Sequence, residues 1–184
     1  ARAIHAASAR SAGPFVPVNC GAITSTLIES ELFGYGPGAF TGAAAGGQPG
    51  KISAADRGTL FLDEVGEMSR AAQTMLLRFL EDGTFYRVGE ASERHASVRL
   101  VAATSRDLAA LIEEGRFRND LYFRIRGLLL RLPPLRSRTD RGELALALLE
   151  RLGRKAGLPK PLGFSRAAME WIEAHDWPGN VREL

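Results

Sequence analysis

The sequence has one cysteine, no long apolar run and no signal-peptide pattern, and each absence excludes a class of protein. A single cysteine, Cys20, cannot form a disulfide within this 184-residue chain. No apolar run approaches the roughly 20 residues that span a bilayer, and the N-terminus lacks the charged-then-apolar pattern of a signal peptide. We therefore expect a cytoplasmic protein with no membrane segment. The apolar neighbours of Cys20 indicate a buried small residue, not a nucleophile.

The chain also has little charge of one sign. Its 24 Lys and Arg residues are interspersed with 21 Asp and Glu residues, which leaves a net charge of +3 and no basic tract. Charge alone therefore gives no argument for nucleic-acid binding. The three histidines His5, His95 and His175 are scattered without metal-ligand spacing, so we expect them to be surface or structural residues.

A usable phosphate-binding loop is missing as well. The pattern G-x-x-x-x-G-K-[ST] is approached only by AGGQPGKI, in which Ala45 replaces the first glycine and Ile52 replaces the hydroxyl residue. A working loop lies between a strand and a helix, whereas these flanks are glycine-rich and then strand-like, so Lys51 is predicted to be a solvated loop lysine. If the protein hydrolyses ATP, we expect its phosphate loop before Ala1 and little ATPase activity from this fragment alone.

Strand and helix patterns alternate along the chain. Buried-strand patterns occupy 15–20, 59–64 and 98–105, and GLLLRL at 127–132 is strand-like. Helices are predicted from Thr24 with a hydroxyl cap, at 69–81, 107–114 and 117–124, and in the tail from Gly142 onward. This alternation predicts an α/β fold, a parallel sheet sandwiched by helices, with a small helical subdomain at the end.

Two acids follow the apolar strand TLFLDE. Asp63 and Glu64 stand at its C-terminal end, which is where parallel sheets bind ligands. This is the Walker B arrangement, in which Asp63 would hold Mg²⁺ and Glu64 would orient the attacking water. The alternative is a strand that ends in a solvated acidic turn.

The segment 34–50, GYGPGAFTGAAAGGQPG, contains seven glycines and two prolines. That composition excludes a helix or strand interior and predicts a long loop or a protruding hairpin. Loops of this length are usually functional or disordered.

Eight short motifs together resemble one family. They are VNCGAI, ESELFG, GAFTGA, GTLFLDE, VRLVAAT, FRNDLYFRI, LPPLR and WPGNVREL. In order and spacing they resemble the AAA+ domain of sigma-54 activators, also called bacterial enhancer-binding proteins, over essentially the whole chain. The resemblance implies an AAA+ P-loop-type three-layer sandwich over residues 1–135 and a helical lid over 136–184. GLLLRLPPLR and SRTDRGEL are similar to the acetoin-catabolism regulator branch.

For the loop, the resemblance implies a surface tip that touches sigma-54. An apolar Phe40 and a hydroxyl at Thr41 between glycines would form an exposed anchor that a partner covers. The alternative is a glycine-rich hairpin whose Phe40 folds back on its own domain. The tip comprises Gly38, Ala39, Phe40, Thr41, Gly42 and Ala43.

For the arginines, the resemblance implies that Arg118 and Arg124 are fingers that reach the nucleotide site of the next subunit. Six residues apart, they lie roughly 240° apart on a regular helix, so both reach one site only if the helix breaks or the interface is broad. The alternative is an ordinary arginine-rich face. Arg182, in WPGNVREL, matches the sensor II arginine that contacts the nucleotide from the lid.

The sequence departs from the family at the sensor position after AAT. The family usually has asparagine there and this chain has Ser105, whose hydroxyl is shorter than an amide. Phosphate sensing is therefore expected to be altered or passed to Thr104.

The resemblance implies a ring-forming ATPase, a hexamer or heptamer, that uses ATP and Mg²⁺ to move the GAFTGA loop against sigma-54 RNA polymerase. DNA binding would come from a helix-turn-helix outside this chain. One alternative is a non-hydrolysing module that binds sigma factor or other proteins. Another is a different AAA+ machine, which the GAFTGA motif argues against.

Overall fold

The structure, a computed structural model, describes residues 1–24, 27–158 and 162–184. The chain divides into two compact units, Ala1–Leu128 and Leu129–Leu184. The boundary predicted after residue 135 stays a prediction.

The first unit alternates strands and helices. Its helices are α1 (Arg2–Ala6), α2 (Ile28–Phe33), α3 (Lys51–Ala54), α4 (Arg70–Asp82), α5 (Leu108–Glu113) and α6 (Asn119–Ile125), with a 3-10 turn at Val65–Glu67. Its strands are β1 (Phe15–Asn19), β2 (Gly34–Tyr35), β3 (Gln48–Pro49), β4 (Thr59–Asp63), β5 (Thr84–Tyr86), β6 (Glu93–His95) and β7 (Arg99–Ala102).

A parallel three-stranded sheet of order β1-β4-β7 forms the centre of this unit. The middle strand β4 is the most buried of the three, and Leu60 and Leu62 are fully buried. Asn19 of β1 is in register with Asp63 of β4, so both strands end at the same edge. The predicted α/β fold with a parallel sheet is confirmed.

Helix α4 follows the end of β4 and has sequence-encoded limits. The hydroxyl of Ser69 accepts a hydrogen bond from the Ala72 N–H at 3.0 Å, which satisfies one of the free donors of the first turn. Gly83 ends the helix at φ 72°, a left-handed conformation that glycine adopts without a side-chain penalty. Leu76 and Phe79 are buried against the core. The helix predicted at 69–81 is therefore confirmed, as is the one at 107–114. The helix predicted at 117–124 is present but begins two residues later, at Asn119.

The structure corrects two predicted elements. GLLLRL forms no strand, and Leu128 and Leu132 are 83% and 90% exposed. A strand-like sequence becomes a strand only when another strand pairs with its backbone, and none of the described strands does so. The helix predicted from Thr24 begins at Ile28, with Leu27 as an N-cap that makes no side-chain bond. Residues 25 and 26 of that prediction lie outside the described residues.

The second unit is helical, as predicted for the tail. Helices α7 (Arg141–Lys155) and α8 (Arg166–Ala174) pack together, and 3-10 turns cover Leu135–Ser137 and Asn180–Arg182. Its core is Leu135, Ala145, Ile172 and Trp177, and the Trp177 indole N–H donates to the Ile172 carbonyl at 2.8 Å. Of the helices in the described ranges, none is long and apolar enough to cross a membrane.

Candidate functional site

The two predicted acids lie at the carboxyl end of the central strand. Asp63 is the last residue of β4, and its Oδ1 accepts the Glu64 N–H at 3.2 Å. Glu64 adopts φ 52° and ψ 49°, a left-handed conformation that costs a non-glycine residue about 1–2 kcal/mol. Such backbone persists where neighbours fix it, and here the next N–H, of Val65, donates to the Ala103 carbonyl at 2.9 Å. The turn therefore holds the Glu64 side chain beside the end of β7.

Ser105 binds the Glu64 carboxylate directly. Its N–H donates to Glu64 Oε2 at 3.0 Å, and its hydroxyl lies 3.0 Å from both carboxylate oxygens. Thr104 points elsewhere, because its hydroxyl accepts the Arg106 N–H at 3.1 Å. The structure thus brings together the predicted water-orienting acid and the predicted sensor, and it leaves Thr104 out of that contact.

Asn19, the last residue of β1, and Cys20, which follows it, complete this edge of the sheet. The Cys20 N–H donates to the Asp63 carbonyl at 2.9 Å, and its side chain is 2% exposed. Burial, and to a smaller extent the charge of Asp63, raise the pKa of the Cys20 thiol to about 12, so the thiol stays protonated. Asn19, which sequence analysis missed, accepts the N–H groups of Gly21 and Ala22 through Oδ1. The shared register of β1 and β4 is the signal that would have placed it here.

The donor set at this edge suits a hard cation. Carboxylate oxygens such as those of Asp63 and Glu64 are ligands that Mg²⁺ prefers, usually with waters and phosphate oxygens as the remaining ligands. Within the described ranges, no three His, Cys, Asp or Glu side chains cluster closely enough to hold a metal by themselves. A magnesium ion here would therefore depend on ligands from a bound phosphate and water.

The AGGQPGKI segment cannot cradle a phosphate. Gly50 is buried, and a Cβ placed on it would lie 2.3 Å from backbone atoms of Leu32, Phe33 and Gly34. A single residue, Gly50, separates β3 from α3, so no loop of backbone N–H groups is available there to wrap a phosphate. Lys51 begins the four-residue helix α3, a helical flank where the sequence indicated a strand, and its ammonium lies 3.7 Å from the Glu31 carboxylate.

The glycine-rich segment forms a hairpin, which is one of the two structures predicted for it. Strands β2 and β3 pair antiparallel at its base, in the register Tyr35 with Gln48. Gly38 and Gly42 have φ of 69° and 91°, and an added Cβ at either would have no neighbour within 4 Å. Glycine is needed at these two positions for backbone conformation, not for close packing.

Phe40 folds towards its own domain and stays partly exposed, and its contact with a partner stays a prediction. Its ring lies 4.9 Å from the Tyr35 ring at 60°, so it does fold towards its own domain. It nevertheless keeps 39% of its surface exposed. Phe40 closes one side of an open groove of about 520 Å³, whose lining residues are Leu27, Glu29, Ser30, Ala39, Met75 and Val88. A half-exposed ring beside an apolar groove is available to a partner.

The two predicted finger arginines both contact helix α4. Arg118 is the N-cap of α6, outside the helical turns, and its NH1 donates to the Thr74 hydroxyl at 3.1 Å. Arg124, in the last turn of α6, donates through Nε and NH2 to the Leu80 carbonyl at 3.1 and 2.5 Å. Thr74 and Leu80 are six residues apart, about 9 Å along the helix. Arg118 therefore lies outside the regular turns of α6, and the finger role of both arginines stays a prediction.

Arg118 is also paired within its own segment. Its Nε and NH2 donate to the two oxygens of Asp120 at 2.9 and 2.6 Å. This bidentate bond lowers the pKa of Asp120 to about 2, so the pair stays charged at neutral pH. Arg182 is exposed in the second unit, on the Asn180–Arg182 turn, and its role stays a prediction.

Comparison with known families divides the chain in two. Residues 1–131 match the family described as the Sigma-54 interaction domain, and residues 136–184 match the AAA+ ATPase lid domain. The predicted resemblance is thereby confirmed.

Curated relatives match the chain over its whole length. It is 51% identical to the Nif-specific regulatory protein of Azotobacter vinelandii, covering 35% of that protein. It is 50% identical to the acetoin catabolism regulatory protein of Cupriavidus necator, covering 27%, and 50% identical to the regulatory protein LuxO of Vibrio cholerae, covering 40%. The chain therefore spans well under half the length of these relatives.

Solved structures agree in fold. Crystal structures of NtrX from Brucella abortus in complex with ADP and with ATP superpose with TM-scores of 0.89 and 0.88. In each case the identity is 38%, with 99% of this chain and 39% of the other covered.

Proposed function

The chain belongs to the Sigma-54 interaction domain family, and we propose that its full-length protein hydrolyses ATP to remodel sigma-54 RNA polymerase at promoters in the cytoplasm. The contact of Ser105 with Glu64 carries the hydrolysis proposal, because it holds a carboxylate in a fixed position at the sheet edge where ligands bind. The partly exposed Phe40 on the glycine hairpin supports the sigma-54 contact.

Nucleotide binding is proposed from the family and the fold. The NtrX domain that this chain superposes on was solved with ADP and with ATP. The phosphate-cradling loop would be supplied by sequence outside these 184 residues, because AGGQPGKI is closed to phosphate. Bound ATP with Mg²⁺ would supply the phosphoryl group and its counterion.

Each residue at the edge of the sheet would have a separate role in hydrolysis. Asp63 would ligate Mg²⁺, while Glu64 would accept a hydrogen bond from the attacking water and align it. Ser105 keeps the Glu64 carboxylate in one orientation through its N–H and hydroxyl. Fixed orientation lowers the barrier because it removes the reorganisation that a free side chain would need.

Arginines would come from a second copy of the chain. We propose a homo-oligomeric ring, a hexamer or heptamer, in which Arg118 and Arg124 stabilise the charge on the phosphoryl group in the neighbouring site. Arg182 would contact the nucleotide from the lid, and DNA would be bound by a domain outside this chain. Loss of the phosphate contacts on hydrolysis would change the position of the hairpin that carries Phe40.

A promoter assay tests this function. Full-length protein, sigma-54 RNA polymerase and a supercoiled sigma-54 promoter are expected to give transcripts with ATP and none with ADP or a non-hydrolysable analogue. The reason is that only hydrolysis drives the hairpin through its cycle. Equal transcript yields with ATP and ADP would favour the alternative, a non-hydrolysing module that binds sigma factor.

The Ser105 contact gives a separate prediction. Ser105→Ala removes the hydroxyl and leaves the N–H bond, so kcat for ATP is expected to fall by about ten- to hundredfold, as for one hydrogen bond to a charged group, with KM unchanged. Ser105→Thr keeps the hydroxyl and should retain most of the activity. Steady-state ATP turnover of the full-length variants measures both. A rise in KM with normal kcat would assign Ser105 to nucleotide binding instead.

A further inference from the structure

Gln73 is a fully buried polar residue in the middle of α4. It is 0% exposed, and Thr59 is the other polar side chain among the buried residues that the structure describes. A buried amide is costly unless its donors and acceptor are paired. The hydrogen-bond partners of Gln73 therefore indicate its structural role.

All of the Gln73 bonds go to backbone, and two of the three go to the segment before α6. Its Nε2 donates to the Met68 carbonyl at 2.9 Å and to the Arg116 carbonyl at 3.0 Å. Its Oε1 accepts the Arg118 N–H at 2.9 Å. Met68 ends the 3-10 turn that begins one residue after Glu64. Gln73 thus fixes the backbone of Arg118 relative to the segment that follows the Walker B acids.

Thr74, the next residue, binds the side chain of the same arginine. Its hydroxyl accepts from Arg118 NH1 at 3.1 Å and donates to the Arg70 carbonyl at 2.9 Å. One residue of α4 therefore holds the backbone of Arg118, and the next binds its guanidinium, which Asp120 also binds. Arg124 differs in that α4 binds it through the Leu80 backbone carbonyl and not through a side chain.

We propose that Gln73 and Thr74 are positioning residues that set the direction of the Arg118 finger. This inference rests on the proposed function, in which Arg118 acts on the nucleotide of a neighbouring subunit. Neither residue touches that nucleotide. Their loss would therefore weaken the site of the neighbour and leave the site of the same subunit intact.

Subunit mixing tests this directly in the full-length protein. Glu64→Ala subunits keep a working finger but lack the acid, whereas Arg118→Ala subunits keep the acid but lack the finger. Mixed one to one, they should recover turnover at about a quarter of the interfaces of a random ring. Gln73→Met keeps the side-chain volume and removes the hydrogen bonds. We expect it to lower turnover about tenfold or more alone, as a misplaced finger would, to recover with Glu64→Ala and not to recover with Arg118→Ala.

The possible outcomes distinguish failure of the finger in trans from failure of the positioning role. If Arg118→Ala and Glu64→Ala do not recover activity together, the finger in trans is wrong and the inference fails with it. If that pair recovers but Gln73→Met with Glu64→Ala does not, or if Gln73→Met alone is fully active, only the positioning role is overturned. Arg78→Met, at an exposed position of the same helix α4, is the control and should keep normal turnover.

A second variant covers the case in which Gln73→Met does not fold, as judged by circular dichroism and thermal unfolding. Thr74→Val is nearly isosteric at a partly exposed position and removes only the hydroxyl. We expect turnover to fall by about three- to tenfold and to recover in the same mixture with Glu64→Ala. Unchanged turnover in Thr74→Val would overturn the proposal.

Discussion

Replacing Glu64 by alanine is expected to lower ATP turnover of the full-length protein by about 10²–10⁴-fold, the contribution of a positioned general base. The acid at the end of β4 is held by two groups of Ser105, so its removal leaves the attacking water without an aligned acceptor. Nucleotide binding should change little, because Asp63 and the phosphate contacts remain. Steady-state turnover and equilibrium binding of a fluorescent ATP analogue measure the two effects separately.

Glu113→Ala is the matched control for this prediction. Glu113 is an exposed glutamate in α5, so its loss removes the same charge without touching the edge of the sheet. Its turnover should stay within about twofold of the native value, as is usual for surface substitutions. Equal activity of Glu64→Ala and the native protein would leave the non-hydrolysing module as the better description.

Replacing Phe40 by alanine is expected to abolish sigma-54-dependent transcription while ATP turnover stays largely intact. The ring lies on the hairpin, keeps 39% of its surface exposed and closes one side of the apolar groove. Central aromatic anchors at protein interfaces commonly contribute 2 kcal/mol or more, about 30-fold in affinity. Single-round transcription, sigma-54 binding and turnover of the same preparation measure the separation.

Tyr86→Ala controls for loss of an exposed aromatic ring. Tyr86 lies in β5 and is 46% exposed, close to the value for Phe40. Transcription should therefore survive this change if position on the hairpin, and not aromatic exposure alone, decides sigma-54 contact. Retained sigma-54 binding by Phe40→Ala would remove the hairpin tip from the mechanism.

The sequence predicted the central strand and its acids well because those signals are local. A continuous apolar run that ends in Asp63 and Glu64 needs no knowledge of distant residues, and neither does the amphipathic helix at 69–81. GLLLRL failed for the opposite reason, since a strand depends on a partner that its own residues do not specify. The exposed Leu132 shows that a local apolar pattern does not form a strand without a pairing strand.

Contacts between distant residues explain what the sequence could not show. Glu64 and Ser105 are 41 residues apart, and only the parallel ends of β4 and β7 bring them together. Gln73 has the sequence context of an ordinary amphipathic helix, in which a glutamine is expected at the surface. It is buried because the backbone around Arg116 and Arg118 folds over it, more than 40 residues later in the chain.

The bond between Arg124 and the Leu80 carbonyl has a consequence for assembly. The last carbonyls of a helix have no intrahelical donor, and this guanidinium supplies one near the end of α4. Under the proposed function, a subunit that extends Arg124 towards its neighbour must give up that bond and leave the Leu80 carbonyl to water. In a single copy of the chain the Arg124 guanidinium is therefore already hydrogen-bonded, and oligomerisation competes with that intramolecular bond. Assembly would then favour neighbours that already carry a negatively charged ligand.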